Sequence, residues 1–465
     1  MIPTESEDCL FLNVYTPLTT GGNRAVIVFI HGGGYNSGFG DDDLYGSQYF
    51  MTEDVVVVTF NYRLGVLGFF STGDRAAAGN WALKDCIVAL RWVQDHIAAF
   101  GGDASNVTIY GESAGAAIIH LLLISPLTGG LFHRAIASSG SPFNSWAFQP
   151  NPLFYANRLA ETLDLETTDT TDMVAALRLV PYRALIEQQE DISSTAHLLG
   201  TVDFGPVVEP PDAPGSIVLP RTPMELVKDG AYQAVPLLTG FNNLESVLYI
   251  ALANFIPNLF DSFNAHPHYL VPRAWNISEG SPAANAISNA FAQFYWQGQT
   301  LGPELLEEFS WYLTDLMFAI GVVEMAELQS TRAPVYVYHF TYDGDLNLFK
   351  QQLGVSIPGA VHADEVFYLF DAKSLVSGPL AATSHARTVR QRMLRLWTNF
   401  AKYGNPTPVV DAVLQDILWP ELDGGTINVV LNIDHDLMLG PNPIAFRYDL
   451  WQTLEHRYAN RNTRH

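Results

Sequence analysis

Residues 107–115 read VTIYGESAG, so a β-branched run leads directly into the pattern Gly-x-Ser-x-Gly. An apolar stretch at residues 116–124 follows, which predicts the order strand, tight turn and helix. A nucleophile on such a turn needs small neighbours, because its backbone is strained and the helix packs close to the strand. The stretch predicts that Ser113 is a nucleophile above a sheet, while a plain glycine turn remains the alternative that five residues leave open.

Short apolar runs recur on both sides of this stretch, at residues 25–30, 55–60, 135–137, 235–238 and 335–338. Helical patterns lie between or after them, at residues 80–100, 284–297, 305–328 and 391–403. Continuous apolar runs are typical of strands buried on both faces, and their alternation with helices predicts an α/β fold with a mostly parallel sheet. Residues 144–223 and the two middle helical zones are predicted to roof a cleft at the carboxyl ends of the strands. Since no linker-like segment divides the chain, residues 1–465 are expected to form one domain.

The composition narrows the class of protein. The 48 acidic and 24 basic residues give a formal charge of -24, which disfavours binding to nucleic acids and to anionic membrane surfaces. Only two cysteines occur, Cys9 and Cys86, so neither a disulfide framework nor a Cys-x-x-Cys metal site is predicted. The sequence shows no signal peptide and no uncharged run long enough to span a bilayer.

A glycine run follows the first apolar strand and supplies a second candidate feature. Residues 31–35 read HGGGY, and their bare backbone can approach a substrate carbonyl and donate N–H groups to it. The N–H of Ala114, directly after the candidate nucleophile, is the expected second donor. The chain therefore offers an oxyanion hole in the place where a serine hydrolase needs one.

A serine nucleophile also needs a base and an orienting acid. His362 lies in a late glycine-containing loop, which favours it as the base in the chain order serine, acid, histidine. Glu245 follows the run at residues 235–238 with a turn that places it at the carboxyl end of that strand. Three other acids stay open as the orienting residue, although an exposed, solvated carboxylate is the default expectation for each of them: Asp203, Glu209 and Asp364.

Two long motifs carry a resemblance to a known family. Residues 100–115 read FGGDASNVTIYGESAG and residues 7–17 read EDCLFLNVYTP, and both resemble signatures of the type-B carboxylesterase and cholinesterase family, especially its arthropod carboxylesterases and juvenile hormone esterase-like members. The resemblance implies an α/β-hydrolase fold with helical insertions that form a cap over an active-site gorge. It implies a serine esterase that needs neither a metal nor an organic cofactor and that acts on small to medium apolar esters. The matching positions are Ser113 as nucleophile, His362 as general base and acid, Glu245 as the triad acid, and Gly33, Gly34 and Ala114 as oxyanion donors.

The chain departs from this family at its start. Members normally carry a longer segment ahead of residues 7–9, with a signal peptide and a cysteine that pairs with the one matching Cys9. Cys9 is therefore expected as a free thiol, and the chain is interpreted as N-terminally truncated. Asn276 in the sequence Asn-Ile-Ser is the expected glycosylation site if the full-length protein is secreted; otherwise a cytoplasmic protein is expected. The expected partner is a small-molecule ester, and the protein is expected to be a monomer or weak homodimer. The alternative to an esterase is an inactive adhesion or binding protein, or an inactive truncated isoform.

Overall fold

The computed structural model describes residues 6–19, 21–192, 201–247, 250, 259–376, 380–381 and 383–459. Nine strands within these ranges form a single sheet in the order β1-β3-β2-β4-β5-β6-β7-β8-β9. The strands are β1 Leu12–Tyr15, β2 Arg24–Ile30, β3 Val56–Phe60, β4 Gly102–Glu112, β5 Arg134–Ser138, β6 Leu237–Asn242, β7 Val335–Phe340, β8 Val430–Ile433 and β9 Leu437–Gly440. The α-helices of the same ranges are Gln48–Met51, Gly65–Phe69, Trp81–His96, Ala114–Ile124, Pro152–Thr162, Thr170–Leu177, Tyr182–Ile192, Pro223–Lys228, Leu259–Ala265, Pro282–Trp296, Leu306–Thr314, Ile320–Ser330, Leu348–Gln352, Ala386–Tyr403 and Ala445–Tyr458.

The sheet is parallel from β3 to β8 and antiparallel only where β1 and β9 pair at its two edges. This matches the mostly parallel sheet that the alternating runs predict. The two edge strands and β8 were not among the predicted strands, because they are only four residues long and carry a mixed burial pattern. The parallel strands bring their carboxyl ends to one edge of the sheet, where the loops after β2, β4 and β6 meet.

Apolar cores lie on both faces of this sheet. Successive side chains of β2 point to opposite faces, so that Val28 belongs to one core and Phe29 to the other. The first core includes the elbow helix, Ala114–Ile124, whose eleven residues are all buried. The second includes helix Ala386–Tyr403, which begins five residues before the predicted start at 391. With both faces covered, the strands read as nearly continuous apolar runs, which explains why the sequence pattern identified them.

The turn between β4 and the elbow helix is tight enough to require its glycines. A Cβ on Gly115 would lie 2.0 Å from the Ile30 carbonyl oxygen, and one on Gly111 would lie 2.4 Å from the Gly115 carbonyl carbon. A Cβ on Gly140 would lie 2.3 Å from the Ser113 carbonyl oxygen. Ser113 itself has φ 58° and ψ -123°, a conformation that L-residues rarely adopt. The strained serine is therefore held by close backbone packing on several sides, as the motif predicts.

One helical run of the described residues, 303–330, is long and apolar enough to cross a membrane. Within the protein, 78% of its most apolar window is buried. The run is interrupted by a π-helical turn, Asp315–Ala319, which the sequence pattern at 305–328 did not predict. Its apolar character follows from its position packed against β6 and β7.

Candidate active site

Ser113, His362 and Glu245 come together in one chain of hydrogen bonds. The hydroxyl of Ser113 lies 2.7 Å from Nε2 of His362, and Nδ1 of His362 lies 2.7 Å from Oε2 of Glu245. All three side chains are buried, with 4%, 4% and 0% of their surface exposed. With a proton on Nδ1, the imidazole donates to the carboxylate and its Nε2 accepts from the serine hydroxyl. This is the geometry in which a histidine can take the proton of an attacking serine.

The loop after β6 holds the carboxylate of Glu245 in place. The backbone N–H of Asn242 donates to Oε1 at 2.7 Å, so each oxygen of Glu245 has one assigned partner. The same loop is fixed to the histidine loop, because Leu244 N donates to Ala360 O at 3.0 Å and Leu244 pairs with Val361 in a parallel bridge. The acid and the base are thus joined through their backbones as well as through their side chains.

Two further buried carboxylates surround His362. Oε1 of Glu112 lies 3.2 Å from Nε2 of His362, the nitrogen that also meets the serine, and this oxygen accepts no hydrogen bond from the described residues. Glu365 is fully buried and accepts a hydrogen bond of 2.6 Å from Nδ2 of Asn242. Burial raises the pKa of both carboxyls, and the charge of Glu245 raises them further.

These carboxylates control the charge of the histidine. Burial alone would lower the pKa of His362, but the charges of Glu112, Glu245 and Glu365, together with the hydrogen bond to Glu245, raise it above its ordinary value of 6.5. An imidazolium at this position is therefore strongly stabilised. The arrangement favours the state that a serine hydrolase must reach when its histidine has accepted a proton.

The glycine run passes directly beside the elbow. A Cβ on Gly32 would lie 2.9 Å from Cβ of Ser113 and 2.5 Å from Oε2 of Glu112. Gly33 and Gly34 have φ values of 108° and 60°, which favour glycine. Within the described part of the chain, the N–H groups of Gly33, Gly34 and Ala114 donate to no other residue. These three N–H groups are therefore not engaged elsewhere, and their role as oxyanion donors stays a prediction.

His31 fixes the start of this run. Its ring stacks on Tyr62 with 4.4 Å between ring centroids, and its carbonyl accepts a 2.8 Å hydrogen bond from the Tyr62 hydroxyl. Burial lowers the pKa of His31 to about 4, so the ring is neutral at physiological pH. Its Nδ1 lies 2.8 Å from the Gly32 carbonyl oxygen. The histidine therefore acts as a support for the loop.

Aromatic side chains cover the site from the cap side. The ring of Phe318, in the π-helical turn, lies 4.6 Å from the ring of His362 and 5.8 Å from that of Trp146. Asn144 Nδ2 donates to the Phe318 carbonyl at 2.9 Å, and Trp146 Nε1 donates to the Met317 carbonyl at 2.7 Å. These bonds use carbonyls of the turn and hold an apolar wall against His362.

A family model described as the carboxylesterase family matches residues 2–451. The chain belongs to the carboxylesterase family. It is 34% identical to juvenile hormone esterase of Tribolium castaneum over 87% of this chain and 71% of that protein. It is 33% identical to liver carboxylesterase 1 of Oryctolagus cuniculus over 96% of this chain and 78% of that protein. The crystal structure of juvenile hormone esterase from Manduca sexta, with OTFP covalently attached, superposes with a TM-score of 0.84 at 30% identity, over 97% of this chain and 84% of that one.

These similarities confirm two of the predictions. The predicted α/β-hydrolase fold is the fold of this carboxylesterase, and its activity is the hydrolysis of carboxylic esters. A small-molecule ester is accordingly its substrate. The assignment of individual residues stays a proposal, for which the geometry described above is the support.

The three alternative acids of this carboxylesterase are buried, so the expectation that they are exposed was wrong. Asp203, Glu209 and Asp364 are 2%, 1% and 0% exposed. Glu209 pairs with Lys84 at 2.6 Å and accepts from the backbone of Val218 and Leu219. Each alternative has a buried setting of its own because this large α/β core encloses several loops after the strands.

Asp364 is nevertheless close to the site in sequence. It accepts a 2.9 Å hydrogen bond from the backbone N–H of Val361, and burial raises the pKa of its carboxyl to about 7. It therefore shapes the histidine loop.

Cys9 and Cys86 are both free, and Cys86 is buried. Asn276 is exposed with φ 51°, and its glycosylation stays a prediction.

Sequence reasoning missed four residues that contact or support the histidine. Glu112 enters only as part of the elbow motif, and the sequence assigns no role to the other three: Asn242, Phe318 and Glu365. Glu365 lies three residues after His362, in the 3-10 helix Asp364–Tyr368 that follows the histidine. Phe318 could not be found from the sequence, since its position depends on the π-helical turn.

Proposed function

We propose that this protein hydrolyses small to medium apolar esters through a Ser113–His362–Glu245 triad and an acyl-enzyme intermediate. The single observation that carries the proposal is the continuous pair of 2.7 Å contacts from Ser113 to His362 and from His362 to Glu245. Ester hydrolysis itself follows from the family; the proposal assigns the residues and the route.

The steps follow from the contacts. Ser113 Oγ attacks the ester carbonyl while its proton passes to Nε2 of His362, and the new imidazolium is stabilised by Glu245 on Nδ1. The N–H groups of Gly33, Gly34 and Ala114 then hold the oxyanion of the tetrahedral intermediate. The imidazolium returns its proton to the departing alcohol as the acyl-enzyme forms. A water molecule, activated by the same histidine, hydrolyses the acyl-enzyme and releases the carboxylic acid.

The surroundings of the triad support an apolar substrate. The ring of Phe318 lies beside His362, Trp146 packs on Phe318, and Tyr35 extends the same wall at 6.3 Å from Trp146. Apolar groups are recognised by such surfaces through burial of their area, whereas a strongly charged acyl group would lose its hydration without a partner.

Labelling with an organophosphate tests the route. We expect one phosphoryl group per chain, attached to Ser113 in a peptide digest, with a proportional loss of nitrophenyl butyrate hydrolysis. The free hydroxyl beside an accepting imidazole is the reason for this selectivity. Hydrolysis that continues after complete labelling would refute the assignment. A stably folded chain that is neither labelled nor active would instead favour the binding-protein alternative.

Replacement of Glu112 by glutamine tests the second carboxylate. Because its Oε1 is 3.2 Å from Nε2 of His362, the carboxylate stabilises the imidazolium, and Glu112→Gln should lower the pKa of His362. The histidine must be neutral to accept the serine proton, so activity rises as pH increases through this pKa. We expect the acid limb of the kcat/KM profile to lie above pH 6.5 in the wild type and to move to lower pH in the variant. The maximal kcat should fall about tenfold, since a buried charge beside the imidazolium is lost in the transition state.

The matched control is Glu307→Gln, which removes an exposed carboxylate. It should leave both the acid limb and kcat unchanged. An acid limb in Glu112→Gln that stays in place or moves to higher pH would contradict the role given to Glu112.

A further inference from the structure

A cavity separate from the triad lies on the face of the sheet that helix 386–403 covers. Its volume is about 350 Å³, and none of its lining residues belongs to the triad or to the glycine run. Four buried apolar side chains form much of its wall, with at most 5% of each exposed: Leu346, Leu348, Phe367 and Phe370. The volume is at the lower end of the range for small-molecule sites.

Arg390 is the unusual member of this wall. Its guanidinium lies 3.9 Å from the centroid of the Tyr49 ring, and its buried Nε has no hydrogen-bond partner among the described residues. An arginine remains cationic at neutral pH, even though burial lowers the pKa of this one.

The other charged groups of the wall are already engaged. Lys373 is paired with Asp42, and Asp371 accepts hydrogen bonds from Gln48 and from the Tyr49 hydroxyl. Within the described ranges, neither acid forms an ion pair with Arg390. The cavity therefore combines apolar walls with one cation, Arg390, that forms no ion pair among the described residues.

We propose that this cavity binds a medium-chain fatty acid, with the carboxylate accepting from the guanidinium N–H groups of Arg390 and the chain packed against Leu348, Phe367 and Phe370. A charge-assisted hydrogen bond fixes the carboxylate, and burial of the chain supplies the remaining affinity. The protein itself releases carboxylic acids by ester hydrolysis, so this class of ligand is present wherever it acts. The site is separate from the triad and does not rest on the residue assignment proposed for it.

Binding of decanoate to the full chain tests the proposal, with decanol as the uncharged analogue. By calorimetry, Arg390→Gln should weaken decanoate binding about tenfold or more and leave decanol binding nearly unchanged. The control Arg91→Gln removes an exposed charge from helix 81–96 and should alter neither. Hydrolysis of nitrophenyl butyrate should persist in Arg390→Gln, which separates this site from the catalytic one. Equal decanoate affinity in the wild type and in Arg390→Gln would overturn the proposal.

A second variant separates the loss of the charge from the loss of packing. Because Arg390 packs on Tyr49, Arg390→Gln also removes a stacking contact, whereas Arg390→Lys keeps the charge and should keep most of the decanoate affinity.

Photolabelling uses only the wild-type protein. A photoreactive fatty acid that carries a diazirine in its chain should label wild-type peptides covering residues 346–352 and 364–371. Labelling confined to other peptides, or its persistence under excess decanoate, would also overturn the proposal.

Discussion

Replacing Ser113 by alanine is expected to lower kcat for nitrophenyl esters by about five to six orders of magnitude. The hydroxyl lies 2.7 Å from Nε2 of His362, so its removal takes away the nucleophile that the imidazole would activate. The three backbone donors and the aromatic wall remain, and they should leave only a small residual rate over uncatalysed hydrolysis. Steady-state kinetics, with circular dichroism to verify the fold, would measure this loss.

The control lies at the other end of the same helix. Ser125 is a buried serine that follows Ile124 at the C-terminus of the elbow helix, and Ser125→Ala should keep kcat within a few-fold of the wild type. Backbone strain gives an independent readout, since Ser113 has φ 58°. Ser113→Gly should be inactive but about 1 kcal/mol more stable than Ser113→Ala in denaturant unfolding, because glycine adopts this conformation without penalty. Equal activity losses at Ser113 and Ser125, or retained activity in Ser113→Ala, would contradict the assignment.

The sequence predicted this part of the molecule well for a physical reason. The elbow combines β-branched residues, small residues and an apolar helix in an order that few structures other than a strand-turn-helix can satisfy. Gly115 must lack a side chain because the Ile30 carbonyl is so close, and a steric requirement of this kind is visible in the sequence as a glycine. The strands from β2 to β7 were predicted for a similar reason, because burial on both faces produces continuous apolar runs.

Other features depend on contacts that no local pattern carries. The short edge strands β1 and β9 have mixed burial, so they lack both the continuous and the alternating signal. The start of helix 386–403 is polar, and only tertiary packing buries Ala386 and Val389. Glu112 and Glu365 approach the same histidine from separate segments of the chain. The sequence does not predict such a buried cluster of acids, because carboxylates are expected to face solvent.

Glu245→Gln is expected to lower kcat by about 10⁴-fold while preserving the fold. The carboxylate has two assigned partners, with Oε1 accepting from Asn242 N and Oε2 contacting Nδ1 of His362. A glutamine that keeps its oxygen on Asn242 presents its NH₂ group to Nδ1, which must then accept. The imidazole proton moves to Nε2, where it faces Ser113 Oγ, and the base is lost. Kinetics with nitrophenyl butyrate at a pH above the acid limb would measure the effect.

The choice between Glu245 and the other acids can be decided by a matched pair of variants. Glu209 is equally buried, but its carboxylate binds Lys84 and two backbone N–H groups far along the chain from the histidine loop. Glu209→Gln should therefore reduce the free energy of unfolding and leave kcat nearly unchanged. Glu245→Gln should instead lower kcat and leave the free energy of unfolding nearly unchanged. If both variants lost kcat in proportion to their stability, the acid would act only through the fold. If Glu245→Gln kept a tenth or more of the wild-type kcat, its contact with His362 would not be the one that sets the tautomer.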